Sequence, residues 1–563
     1  MCCVDRQPPR TTSNEIDLYI RTYYSLLRSS GDVRVRSFEE AHTWSASSLH
    51  PGALAPEPDL AAFAYSAARL PDCMGQTRRL VLGQSLEQFA RAGYQVETWA
   101  TVRTRGRRRP LRWDGAGTLA VFVASASDID DLIPILTAYQ VEWNKLHLRL
   151  AGTGDAAGLA DPALAAAFRV ELDQLATLRA AFAGGFTEGV AALADHDLDL
   201  TVRLLDGSFS EYQRSALTWW RAIETARPAL ARRPVYFVSS NTHSLANLLG
   251  GYAFANQEQL LDFVRADDRE QLLPRFEEAV AHRDESARAN ILYYTLRNYL
   301  RTSPHAAARH AAVQLHDQAR GIHTIESPAR IDVTAQVIEL SRLSIEDLDP
   351  RARVPDLELL SRSDALIINI DYPLGMAAYH HLAAVAQGTA ELRGLYIMGK
   401  AATLNGRVGD VMLSKVVHDE HSGNTYLIRN ALRADDVWPY MRHGSVLDNQ
   451  KALTVRSAFL QNRSYMDVFY REGYTVMEME AGPYLAAIYE TTSPQRAPKN
   501  EIVNQTDMGG SDFGIIHYAS DTPYSRRQSL LSKSMSYFGM ESTYACALAI
   551  ARRIFRLEIE RMR

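Results

Sequence analysis

Three carboxylates are placed where they could do chemistry. Glu478 and Glu480 alternate within YTVMEMEAGPYLAAIYE, an otherwise apolar segment, so on a strand they share one face. Two carboxylates in such a setting are costly unless they are partnered or employed. Asp521 closes the apolar run GIIHYAS and precedes Pro523, a position that suits either a helix N-cap or a functional acid. Small and hydroxyl-bearing residues follow the other apolar runs. Asn241-Thr242-His243-Ser244 follows VYFVSS, Tyr372-Pro373-Leu374-Gly375 follows ALIINID, Gly399-Lys400-Ala401-Ala402-Thr403 follows LYIM, and Ser520 precedes Asp521. Taken singly, each glycine fits ordinary turn geometry. Taken together they mark one edge of a sheet, because ligands of layered α/β domains bind beyond the carboxyl ends of strands.

The elements that must hold these residues are strands alternating with helices after residue 231. Short apolar runs predict strands at Val235–Ser240, 330–338, 364–371, 394–398, 410–418, 451–459, 474–478 and 514–519, with a closing helix over 526–558. A charge-rich helical insertion occupies about 255–325. Before it, residues 1–150 read as an α+β domain. It has a helix within 1–30, a helix near 78–92, strands at Gln95–Val102 and Thr118–Ala124, and a helix over Asp128–Leu150. Residues 151–230 read as helical. The expected class is α/β: a three-layer α/β/α domain with a twisted mixed central sheet over 231–563, preceded by an α-rich α+β region.

Composition narrows the function. The chain has 563 residues, 61 Lys and Arg against 66 Asp and Glu, and a net charge of −5. This excludes a globally basic nucleic-acid coat. No run of about 18 apolar residues is present, so no membrane span is expected, and the start MCCVDRQPPRTTSNE has no apolar core of a secretory signal. Four scattered cysteines, and no His-x-x-x-His or Cys-x-x-Cys spacing, argue against a disulfide framework or a metal site. A cytoplasmic location without metal or cofactor is the expectation. The basic stretch Arg103–Arg112, TVRTRGRRRPLRW, reads as an exposed hairpin tip, as a site for a phosphate or nucleotide effector, or as an RNA contact.

The C-terminal pattern resembles the purine nucleoside phosphorylase/uridine phosphorylase superfamily, which includes the nucleosidases. VYFVSSNTHSLANLL resembles its opening strand and phosphate loop. IINIDYPLGMAAYHHL and LYIMGKAATLNGRVGDVML resemble its next strands and glycine turns. VMEMEAG resembles its Val-Glu-Met-Glu-Ala-Ala signature, and IIHYASDTPYS its Ser-Asp strand end. The resemblance implies cleavage of the N-glycosidic bond of a purine nucleoside or nucleotide. By position, it gives Glu480 and Met479 to the ribose with Glu478 beside them, and Asp521 with Ser520 to the base. Phe459 would stack on the base, and Gly375 and Gly399 would let the backbone approach the sugar. The family's arginines are replaced by Ser244 or Leu245 and by Ile397, so water is the expected nucleophile. Lys400, Arg407 and Arg456 are the candidates for a substrate phosphate, as in nucleotide-cleaving relatives. A homo-oligomer with an AMP-nucleosidase-like layout is implied. The alternatives are a catalytically inactive nucleotide sensor or scaffold and a phosphate-dependent phosphorylase.

Overall fold

The computed structural model describes residues 14–563, except residues 30, 155, 183, 206–208, 229, 303–304, 328–330, 494–495 and 524–536. Cys2-Cys3 and the first part of the expected closing helix lie outside the described residues.

Two sheets form among the described residues. The first contains β1 (Val33–Arg34), β2 (Arg79–Gly83), β3 (Ala100–Val102), β4 (Leu111–Trp113), β5 (Thr118–Phe122) and β6 (Thr201–Leu204), in the order β1-β6-β2-β5-β4-β3. The segment 78–92 is therefore not one helix. It is β2 followed by the short helix Leu86–Arg91, whose N-cap Ser85 accepts the Gln88 N–H. Leu80, Val81 and Leu82 are buried because β2 is central, between β5 and β6. A short continuous apolar run fits such a strand and a buried helix equally well. The stretch read as all-helical likewise contains β6, whose partners β1 and β2 are distant in sequence. The helix Ala126–Leu150 begins at a capping box of Ser125 and Asp128 and packs on this sheet.

The second sheet is mixed, so the chain is of mixed α/β class. Its strands are β7 (Pro234–Ser240), β8 (Ile322–Ile325), β9 (Ala335–Glu339), β10 (Leu366–Asp371), β11 (Glu391–Thr403), β12 (Val411–Asp419), β13 (Thr425–Ile428), β14 (Val446–Thr454), β15 (Tyr474–Glu478), β16 (Ile502–Gln505) and β17 (Asp512–Asp521). β17 lies parallel to β11 and antiparallel to β12, and β12, β14, β15 and β11 are successive neighbours, so these five strands close into a ring. Alternate residues of the central strands feed separate cores. Val235, Phe237, Leu395 and Ile397 meet the helices Phe209–Ala226, Met376–Gly388 and Ala481–Thr492. Tyr236, Val238, Tyr396 and Met398 meet the helices Ser244–Gly250, Glu285–Arg301 and Tyr537–Met562. Near-continuous apolar strands are the consequence of burial on both faces. The helix Phe209–Ala226 thus packs with the second sheet, and its Trp219 donates its indole N–H to the Val333 carbonyl at 2.9 Å.

The two sheets are joined tightly. Phe459 and Leu460, from the second unit, complete the core of the first. Asn462 donates to the Ser45 carbonyl, and Ser47 bridges Asn462. Ser127 Oγ lies 3.2 Å from His421 Nε2, and His421 Nδ1 lies 2.9 Å from Asp419 Oδ1. This Ser–His–Asp chain is a joint rather than a nucleophile, because Ser127 is fully buried and its oxygen already accepts the Met376 N–H at 2.9 Å.

Candidate functional site

Strand register gathers the acidic residues. On β11, Ala402 is paired with Met477 of β15 on one side and with Asp521 of β17 on the other. Neighbouring strands lie about 4.8 Å apart, so Asp521 and the Glu478–Glu480 segment face each other across roughly 10 Å. That is the span of a sugar carrying a ring. Gly399 and Lys400 do not form a turn: β11 continues through them to Thr403, with a bulge between Ala401 and Ala402. The bulge, next to Asp521, ends the regular pairing and splays the strand ends around a hollow.

That hollow is a cavity of about 270 Å³. Gly399, Lys400, Glu478, Met479, Glu480, Ser520 and Asp521 all line it. Phe459 and Gly375 do not. Phe459 is 1% exposed and meets Tyr65 edge-on at 5.3 Å, and Tyr65 and Tyr372, not Phe459, are the aromatic residues on the cavity wall. Gly375 has φ +52°, and a Cβ there would stand 2.3 Å from Ser127 Oγ. Its lack of a side chain admits the first unit's helix rather than a ligand.

Burial and hydrogen bonds separate the two glutamates. Glu478, 3% exposed, accepts the backbone N–H groups of Glu480 and Ala481 at 2.7 Å each, and the Thr454 hydroxyl. Among the described residues Glu480 accepts only the Met479 N–H, at 3.3 Å. Burial raises the proton affinity of both; the charge of Glu478 raises that of Glu480 further and Arg107 lowers it, while the hydrogen bonds to Glu478 lower its own and Asp419 raises it. The hydrogen bonds stabilise the charged form of Glu478, so the proton the pair retains belongs on Glu480. Asp521 accepts the Ser520 hydroxyl at 2.7 Å through Oδ2, and its buried Oδ1 has no partner among the described residues. Burial pushes its pKa up, opposed by the Ser520 hydrogen bond and by the charges of Arg69 and Lys400. Burial lowers the Lys400 pKa, and Asp521 opposes that shift.

The other wall comes from the first unit, which sequence reasoning had not placed here. Tyr65, Arg69, Gly106 and Arg107 line the cavity opposite the carboxylates. Arg69 stacks over the Tyr65 ring at 3.3 Å and donates to the Tyr65 carbonyl. Arg107 is held by a bidentate pair with Asp131, at 2.8 and 3.0 Å, and Asp131 also takes Arg109. The arginine stretch is therefore not a free hairpin tip. The buried Asp130 and Asp131 were the available signal, since acids on an apolar helix need cations, but their partners lie on other elements. Among the described residues no group of three or more His, Cys, Asp or Glu side chains is placed to hold a metal ion.

A model of a family of unknown function, DUF6909, matches residues 35–556. The chain belongs to this family. No curated protein matches the chain. Among solved structures, it is similar to the 5′-methylthioadenosine/S-adenosylhomocysteine nucleosidase of Neisseria meningitidis in complex with methylthio-immucillin-A. The identity is 12%, the match covers 43% of this chain and 93% of that one, and the TM-score is 0.29. The corresponding enzyme of Campylobacter jejuni is 11% identical, with 44% and 94% covered and a TM-score of 0.28. Uridine phosphorylase from Schistosoma mansoni in complex with uracil is 12% identical, with 34% and 71% covered and a TM-score of 0.24. No helix among the described residues is long and apolar enough to cross a membrane.

Proposed function

We propose that the chain is a hydrolase of the N-glycosidic bond of a purine nucleoside or nucleotide. The supporting observation is the convergence of Glu480 and Asp521 on one 270 Å³ cavity, from strand ends on either side of β11. Breaking the bond places positive charge on the sugar ring and negative charge on the departing base. Glu480, with Met479 against the sugar, binds the ribose hydroxyls, and the anionic Glu478 beside it stabilises the first charge. Glu478 stays anionic in its nest of N–H donors and keeps the Glu480 backbone in place. Asp521, protonated, donates to the base as the C–N bond breaks, so the electron pair leaves on a neutral base. Water supplies the hydroxyl that replaces the base, and its proton returns Asp521 to the acid form. A drier site strengthens each of these interactions, and the first unit supplies that cover.

The test is base release from a panel of nucleosides and nucleotides by the full chain, with and without orthophosphate. Release independent of orthophosphate, with free sugar as co-product, is the expected result. Release that requires orthophosphate and yields a sugar 1-phosphate makes the protein a phosphorylase. Binding without release from any compound makes it a sensor.

A further inference from the structure

A second cavity, of about 350 Å³, adjoins the first. Gly106, Arg107, Tyr372, Lys400 and Glu480 belong to the walls of both, whereas Asp521 and Ser520 belong only to the first. Glu480, Lys400 and Arg107 therefore stand where the two meet. Residues 104–110 make one wall of the second chamber, and Tyr372–Leu374, after β10, make part of the opposite one.

The chamber's charge is uneven. Arg109 and Asp128 line it and neutralise each other at 3.1 Å. Arg107 and Arg108 carry carboxylate partners, Asp131 and Asp371, that are not among the chamber's lining residues. Among the described residues Arg105 has no carboxylate partner, and its guanidinium donates to the uncharged carbonyls of Ala180 and Ala181. Lys400 has no carboxylate within ion-pair distance among the described residues, and it also lines the sugar chamber. Against these stand Asp332 and Glu480, and Glu480 is the member of the acidic pair that holds a proton. A half-buried lysine and an exposed guanidinium, neither with a carboxylate partner among the described residues, in a chamber continuous with the sugar site, make a receptor for an anion.

We infer that the arginine loop and Lys400 bind an anionic group carried by the substrate, so that the substrate is a nucleoside phosphate rather than a free nucleoside. The inference rests on the proposed cleavage reading for the position of the sugar. A substrate-borne phosphate suits the chamber better than free orthophosphate, because the chamber exceeds the size of the sugar cavity and opens into it beside Glu480. The loop read from sequence as a candidate phosphate or nucleotide effector site lies in the wall of the candidate active site.

The experiment pairs each purine nucleoside with its 5′-monophosphate. Binding to the full chain is measured by calorimetry, and base release is measured in parallel. The monophosphate is expected to bind, and to be turned over by kcat/KM, about tenfold to hundredfold better, the range of a few charge-assisted hydrogen bonds. Lys400→Met and Arg105→Gln, each checked for an unchanged melting temperature, are expected to bring that preference towards unity. Equal affinity for the two compounds, or a preference untouched by both substitutions, overturns the inference. So does orthophosphate that stimulates nucleoside cleavage, since the chamber then holds a free anion. Tighter binding of the monophosphate without base release upholds the anion site and refutes the cleavage reading. Cleavage of both compounds at equal efficiency does the reverse.

Discussion

Replacing Asp521 by Asn separates the proton from everything else the side chain does. The amide oxygen still accepts the Ser520 hydroxyl, 2.7 Å away in the native protein, and the volume is unchanged. Stability should therefore stay within about 1 kcal/mol of wild type. The Oδ1 atom, buried and without a partner among the described residues, is the one free to carry a proton to the base. With no proton to give, the variant forfeits general acid catalysis, about 10²–10⁴-fold in kcat, or roughly 3–5 kcal/mol of barrier. The sign of the pH effect follows from burial. Burial raises the Asp521 pKa against Ser520, Arg69 and Lys400, so the active protonated form is lost as pH rises through that value. Wild-type kcat should fall along an alkaline limb, and Asp521→Asn should be flat across it. The assay is base release against pH, repeated with a nitrophenyl riboside whose leaving group needs no proton. The natural substrate should show the full loss and the activated one little. A loss below about fivefold on the natural substrate, or an equal loss on both, refutes the assignment.

Further substitutions test the remainder of the site. Glu480→Gln removes a carboxylate whose pKa is raised by burial and by Glu478. A raised acid contributes stability that is lost as pH rises through its folded pKa, so denaturant melts should show the variant equal to wild type near pH 4 and about 1–2 kcal/mol more stable above pH 8. A pH-independent difference would contradict the shared-proton account. Asp131→Asn leaves Arg107 and Arg109 buried without their common anion, and a destabilisation of about 3–5 kcal/mol by chemical denaturation is expected, with a raised KM. Gly482→Ala places a Cβ 2.6 Å from the Asp419 side chain at the start of the helix after Glu480; calorimetric melting should report a loss of about 1–3 kcal/mol.

Much of the second unit was legible because its strands are short, apolar and buried on both faces. VYFVSS, ALIINID and GIIHYA announce themselves without knowledge of their neighbours, and polar residues stand at or just after the end of each. The segment around Glu478 was legible for a related reason: two charges inside an apolar run demand an explanation. Local pattern was insufficient where identity depends on a distant partner. RLVLG became a strand because β5 and β6 flank it, and Thr201–Leu204 because β1 and β2 do. Phe459 sits one residue from the cavity-lining Ala458, yet its ring turns into the first unit's core, a choice made by packing against Tyr65.

The sequence by itself determined the alternation of strands and helices, the sheet edge at which the candidate residues gather, and the presence of acids in apolar surroundings there, because periodicity and desolvation are local properties. Only the tertiary structure decided that Arg69 and Arg107, hundreds of positions earlier in the chain, face those acids across one cavity. Charge pairing acts through space, and Asp131 fixes Arg107 at the mouth of the site only once both units have folded against each other.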